Sequence, residues 1–268
     1  MVYLGRIFHK LECEFLAALK ACRARPTREV VHTLRTTSRR MEALLRVVER
    51  RQSGDAEFAR KIRKTLRTLK TIRRAAGPVR DLDVQQELLR GLLKTNGKDM
   101  PAIYASIFRE EAIKLKVKLQ YCRVGAAANL FLVIQAKREQ ANTLLSLLSI
   151  YLYGSQWVVS LKDDLAVGEK SGRYLRIGSQ KSLHTYRKQM KFDRYIAEME
   201  TTAQAKRLAK NLKKILDDIG RWHDWMLLAE RAKRTLGKSS AFREELKKER
   251  DLALRRAIRS VERWSSRS

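Results

Sequence analysis

Two short stretches of the chain carry the same run of chemically capable side chains. Val31-His32-Thr33-Leu34-Arg35-Thr36-Thr37-Ser38-Arg39 and Leu183-His184-Thr185-Tyr186-Arg187-Lys188-Gln189-Met190-Lys191 both read H-x-x-R-x-x-x-[RK]. Residues three, four and seven apart share one face of an α-helix, so His32, Arg35, Arg39 and Arg46 project in roughly one direction, as do His184, Arg187, Lys191 and Arg194. A second basic run follows in each half: Lys64, Arg67, Lys70 and Arg74, then Arg207, Lys210 and Lys213 or Lys214. Like charges at these spacings destabilise an isolated helix by about 0.2–0.5 kcal/mol per pair, so the stacks are a cost unless an anion offsets it. A solvated basic face would account for any one stripe. Recurrence of the spacing at equivalent positions in both halves favours an anion site.

The carboxylates repeat as well. Arg80-Asp81-Leu82-Asp83-Val84 in the first half matches His223-Asp224-Trp225-Met226-Leu227 in the second, each just after a glycine, Gly77 or Gly220. Asp81, Asp83 and Asp224 are expected at helix starts, capping free N–H groups and holding basic side chains in place, a structural role. The order His184, His223-Asp224, Asp251 resembles that of helical metal-dependent phosphohydrolases. His223 nevertheless aligns with Arg80, which cannot ligate a metal, so no metal site and no catalytic residue is expected.

These side chains need helices to carry them. Leu4, Ile7, Phe8, Leu11, Phe15 and Leu19 fall on one stripe of period 3.6, predicting a helix that ends before Pro26. Thr27 is the expected N-cap of a second helix running to Ser53-Gly54-Asp55. A third is expected from about Ala56 to Ala76, stopped by Gly77-Pro78, a fourth over about Asp81 to Leu93 before Asn96-Gly97, and a fifth from Pro101 to about Cys122. After Gly125 the order repeats: a long helix to about Leu152, a turn-rich stretch over 154–180, then helices near 181–200, 203–219, 223–236 and 240–264. The expected organisation is therefore all-α, with an internal repeat whose copies span 1–124 and 125–268 and form two helical bundles related by pseudo-twofold symmetry.

Composition bounds the partner. In 268 residues, 59 Lys+Arg stand against 29 Asp+Glu, a net charge of +30. Self-repulsion of this size opposes compaction, which makes a polyanion the expected partner. With 44% apolar residues but only 12 Gly and 3 Pro, the chain can bury a core, and disorder is disfavoured. Cys13, Cys22 and Cys122 form no C-x-x-C pair and predict neither a disulfide framework nor a zinc ribbon, hence a reducing, cytoplasmic setting. The most apolar segment, Ala126 to Tyr153, is interrupted by Lys137, Arg138 and Glu139, so neither export nor membrane spanning is expected.

The ordered set, meaning the paired H-x-x-R-x-x-x-[RK] helices, Arg80-Asp81-Leu82-Asp83-Val84 and Gly220-x-x-His223-Asp224, resembles the CHAD domain, the conserved histidine α-helical domain, over nearly the whole chain. That resemblance implies two helical bundles around a basic central channel that binds inorganic polyphosphate, without cofactor or catalysis, in some cases at polyphosphate granules. Carried onto matching positions, it assigns binding to His32, Arg35, Arg39 and Arg40 in the first half and to His184, Arg187, Lys191 and Arg194 in the second. The helices ending at Gly77 and Gly220 would add their lysines and arginines. Glu42, Phe192, Leu216 and Met226 depart from the family pattern. No E-x-E-x-K motif of an accompanying triphosphate tunnel domain is found, so a stand-alone module is expected.

Nucleic acid is the second choice of partner. Aromatic content of 7% leaves few stacking platforms on the basic helices, and no groove-reading motif is recognisable. A phosphohydrolase is less favoured still, since no P-loop, G-x-S-x-G or complete metal cluster supplies a nucleophile or activated water.

Overall fold

The computed structural model describes residues 2–51, 54–96, 102–154, 158–159 and 180–266. The fold is all-α, with one minimal ladder among the described residues. Among the described residues there are seven helices: α1 (Leu4–Ala24), α2 (Arg28–Arg51), α3 (Ala56–Asn96), α4 (Ala102–Gly154), α5 (Gln180–Met199), α6 (Ala203–Thr235) and α7 (Ala241–Ser265). Strands β1 (Val2–Tyr3) and β2 (Val158–Val159) pair antiparallel, Val2 opposite Val159 and Tyr3 opposite Val158. Most of the turn-rich stretch 154–180, with Gly168, Gly172 and Gly178, lies outside the described residues, as do Gly97 and Pro101.

Helix starts follow the local chemistry. The Thr27 hydroxyl accepts from Val30 N at 3.4 Å, the Asp55 carboxylate from Phe58 N at 2.8 Å and the Thr202 hydroxyl from Ala205 N at 3.2 Å. Each satisfies one of the orphan donors of a first helical turn. Three expected breaks are absent. α3 runs through Gly77-Pro78, α4 through Gly125 and α6 through Gly220. Glycine lowers helix propensity by only about 1 kcal/mol. Beside Gly220 the buried Ile219 and Trp222 outweigh it, whereas around Gly125, where residues 120–129 are not buried, the good helix formers Ala126, Ala127 and Ala128 carry α4 on. Proline removes one N–H and crowds the carbonyl four residues earlier. Around it Ala75, Ala76, Val79 and Leu82 are all buried, and that burial carries the helix on.

The chain divides into two compact units. The first comprises Met1–Gly77 with Ala127–Lys214, the second Pro78–Ala126 with Ile215–Ser268. Each unit draws on both sequence copies, because α3, α4 and α6 each give one half to one unit and the other half to the other. In the first unit α2 packs on α1 and on α5. The α1 stripe of Leu4, Phe8, Phe15 and Leu19 is buried with Leu34, Met41 and Leu45 of α2, and Tyr186 and Ile196 of α5 are buried too. Phe58 stacks on Tyr151 with centroids 3.7 Å apart. In the second unit the core includes Leu82, Leu115, Trp222 and Leu246, and Phe108 meets Phe242 at 4.5 Å. Ser240 ties the start of α7 to α4: its hydroxyl donates to Glu111 Oε2 at 2.9 Å and accepts from Arg243 N at 3.1 Å.

Within α4, Ala105–Tyr153 contains a window long and apolar enough to cross a membrane by length and composition alone, 17% of it buried.

Candidate polyanion-binding site

The two sequence motifs meet in the first unit. α2 and α5 flank an open cleft of about 270 Å³, lined by Arg39, Glu42, Ala43 and Arg46 of α2, Arg73 of α3, and His184, Arg187, Lys188, Lys191, Phe192 and Tyr195 of α5. Among the described residues of the lining, six Lys and Arg side chains and one histidine thus face a single carboxylate, Glu42. Ridges of residues at i, i+3, i+4 and i+7 on two packed helices deliver this arrangement directly. The cleft is open and lined by forked guanidiniums and point-like ammoniums. It suits an extended polyanion whose oxygens can be gripped at several points.

Of the sequence-predicted residues, Arg39, Arg46, His184, Arg187 and Lys191 line this cleft. Arg35 does not line it. Its Nη1 donates to the backbone carbonyl of Arg73 at 3.3 Å, tying α2 to α3 beneath the cleft wall. His32 is exposed one turn before, its Nε2 3.5 Å from the Thr36 hydroxyl. Arg40 turns instead to a neighbouring cavity of about 610 Å³ whose lining includes Arg6, Lys10, Tyr195 and Glu198. There Glu198 bridges Arg40 Nη2 at 3.1 Å and Arg194 Nε at 3.2 Å. The Arg194 guanidinium also lies 4.7 Å from the centroid of the Tyr195 ring. Lys64, Arg67, Lys70, Arg207, Lys210, Lys213 and Lys214 are exposed on their helices and line no part of the cleft.

Two cleft residues escaped the sequence pattern. Lys188 lies four residues after His184, a spacing that marks the same face, but the template H-x-x-R-x-x-x-[RK] skips that position. Arg73 sits beside Arg74 on α3, and the stripe traced through Lys64, Arg67 and Lys70 selects the wrong neighbour. The two departures Glu42 and Phe192 have local explanations. Glu42 Oε1 accepts from Arg73 Nε at 2.8 Å and fixes that arginine at the cleft wall. Phe192 carries the Arg50 guanidinium 5.1 Å from its ring centroid, a cation–π contact.

The aspartates do not cap helices, contrary to expectation, because α3 and α6 pass through the glycines that were to end them. The other half of the expectation, that they hold basic side chains in place, matches the contacts, all within the second unit. Asp224 accepts from Arg80 Nη1 at 2.7 Å and Nη2 at 3.1 Å, a bidentate pair, and Asp81 accepts from the same Nη1 at 3.2 Å. Asp83 Oδ1 accepts from Arg123 Nε at 3.0 Å. Burial works against the charge on Arg80, but hydrogen bonding to and attraction by Asp224, helped by Asp81, outweigh it and hold the guanidinium above its ordinary pKa. The motif Arg80-Asp81 of one sequence copy is thus clasped to Asp224 of the other.

Among the described residues no group of three or more His, Cys, Asp or Glu is gathered as a metal site. Of the side chains in the metal-like order, His223 Nδ1 lies 3.7 Å from Asp224, whose oxygens already take Arg80. Asp251 pairs with Arg250 at 2.7 Å.

The CHAD domain family model matches residues 7–233, and the chain belongs to that family. The match stops short of α7. No curated protein matches the chain.

Proposed function

We propose that this CHAD protein is a non-catalytic binding module for inorganic polyphosphate, which it holds along the cleft between α2 and α5. The observation that carries the reading is the convergence of Arg39, Arg46, Arg187, Lys188 and Lys191 with His184 on one open cleft. Polyphosphate is a flexible, unbranched line of negative charge. Rows of cations projecting from two helices match it without demanding any one register. The exposed cations of α3 and α6, Lys64, Arg67, Lys70, Arg207, Lys210, Lys213 and Lys214, extend the positive field for a chain longer than the cleft, as do Arg35, Arg40 and Arg194 at its margins. On this reading Asp81, Asp83 and Asp224 are structural, and no cofactor is used. The protein then works in the cytoplasm, at polyphosphate granules.

Competition tests it. A labelled oligonucleotide bound at low salt is challenged with long-chain polyphosphate at equal phosphate concentration. Release by polyphosphate supports the proposal, whereas retention of the oligonucleotide favours a nucleic-acid binder. Phosphate liberated from polyphosphate with added Mg²⁺ or Mn²⁺, and lost in His223→Ala, would overturn the non-catalytic part.

A further inference from the structure

Where α4 runs through the second unit, both of its sides are apolar. Phe108, Ala112, Leu115 and Leu119 are buried, yet Ile113, Val117, Tyr121 and Val124 are 58–76% exposed. Steps of four, four and three residues keep these exposed side chains on one narrow stripe. In heptad terms Ile113 is a d position, Val117 and Val124 are a positions and Tyr121 is an e position, with Gln120 at the intervening d. Lys114 stands at e and Lys116 at g, both exposed, one on each side of the seam. Lys114 Nζ pairs with Glu110 at 2.7 Å, so Lys116 is the cation a partner's acid meets first and Lys114 exchanges Glu110 for one on docking.

Charge decides what fits. In a coiled-coil contact the e and g residues choose the partner. A second copy of this chain would set its own lysines against Lys114 and Lys116 and would add the repulsion between two chains of net charge +30. A lipid surface is matched by a broad apolar face, whereas this stripe is one side chain wide and is broken by Gln120. We propose that Ile113–Val124 docks an amphipathic helix of a partner protein, with apolar residues at its own a and d positions and glutamates at e and g. The docking is independent of the polyphosphate cleft, which belongs to the other unit.

The probe is a labelled synthetic peptide of about three heptads with Leu and Ile at a and d and Glu at e and g. It is titrated against the full chain saturated with long-chain polyphosphate, so that the basic cleft is occupied. The same composition in scrambled order, and a Lys-for-Glu version, serve as comparisons. The acidic heptad peptide is expected to bind and the other two are not. Val117→Asp with Val124→Asp, at exposed positions, should weaken it by about tenfold or more, the scale of an interface hot spot. Lys114→Glu with Lys116→Glu should switch the preference to the Lys peptide. Equal binding of the scrambled peptide, or indifference to both double variants, would overturn the proposal. So would co-sedimentation with phosphatidylserine vesicles, or dimerisation, if either is lost in Val117→Asp/Val124→Asp.

Discussion

The guanidinium of Arg35 occupies the space that a side chain at Gly77 would need: a Cβ built there would lie 2.9 Å from Arg35 Nη1. The glycine is helical, and its job is to let α2 reach α3. Arg35 uses the gap to bond the Arg73 carbonyl, and Arg73 is itself a cleft residue. Gly77→Ala should therefore separate folding from binding. Ala gains about 0.5–1 kcal/mol of helix propensity, while the lost Arg35 hydrogen bond costs about 1 kcal/mol, so stability in a thermal melt should change little. Polyphosphate affinity measured by calorimetry should fall, by up to about tenfold. Gly91→Ala, where a Cβ meets nothing within 4 Å, should leave affinity unchanged.

The Arg80–Asp224 clasp predicts the opposite pattern. Both side chains are partly buried, at 25% and 9% exposure. Removing Asp224 takes the bidentate contact from Arg80 and leaves it with Asp81 alone, a loss of about 1.5–3 kcal/mol, the scale of hydrogen bonds to a charged group. Asp224→Ala should lower the denaturant midpoint sharply, while the protein that remains folded binds polyphosphate with its parent affinity, because the pair lies outside the cleft.

Among the described residues Glu42 is the one negative group in the cleft lining. Glu42→Gln removes a charge that repels phosphate and releases Arg73 from its 2.8 Å ion pair. Polyphosphate affinity should rise by a few-fold at moderate salt, and the gain should shrink as salt increases.

Cys22 supplies a pH signature. Burial pushes its thiol from 9.0 up to about 12. Between those values the unfolded chain has lost the proton and the folded chain has kept it, so stability present below pH 9 drains away as pH rises toward 12. In alkaline denaturation series the parent should lose stability more steeply than Cys22→Ala across this window, by up to about 1.4 kcal/mol per pH unit. Equal slopes would mean that the thiol is ionised in the folded state as readily as in the unfolded one.

Much of the helical architecture was legible in the residues. Periodicity placed α1, α2, α5 and α7 nearly to the residue, and Thr27 caps α2 as its position suggests. The breaks at Gly77-Pro78, Gly125 and Gly220 misled, because a glycine or proline is a single local penalty, which burial offsets at Gly77-Pro78 and Gly220 and the alanines at 126–128 offset at Gly125. The same continuity removed the expected caps at Asp81 and Asp224 and turned those carboxylates into arginine clasps. In the site, spacing identified the faces of α2 and α5 but not which of several adjacent cations a third helix contributes. Arg73 was missed for that reason, and Arg40 faces a different cavity although it adjoins Arg39 in the chain.

The most direct measurement is calorimetric titration with long-chain polyphosphate over a series of salt concentrations, on the parent and on Arg39→Ala combined with Arg187→Ala. Each neutralised phosphate contributes about −0.7 to the slope of log affinity against log salt, so the double variant should bind more weakly with a slope flatter by about 1.4. Identical affinity and slope in the two proteins would contradict the assignment of the α2–α5 cleft as the polyphosphate site.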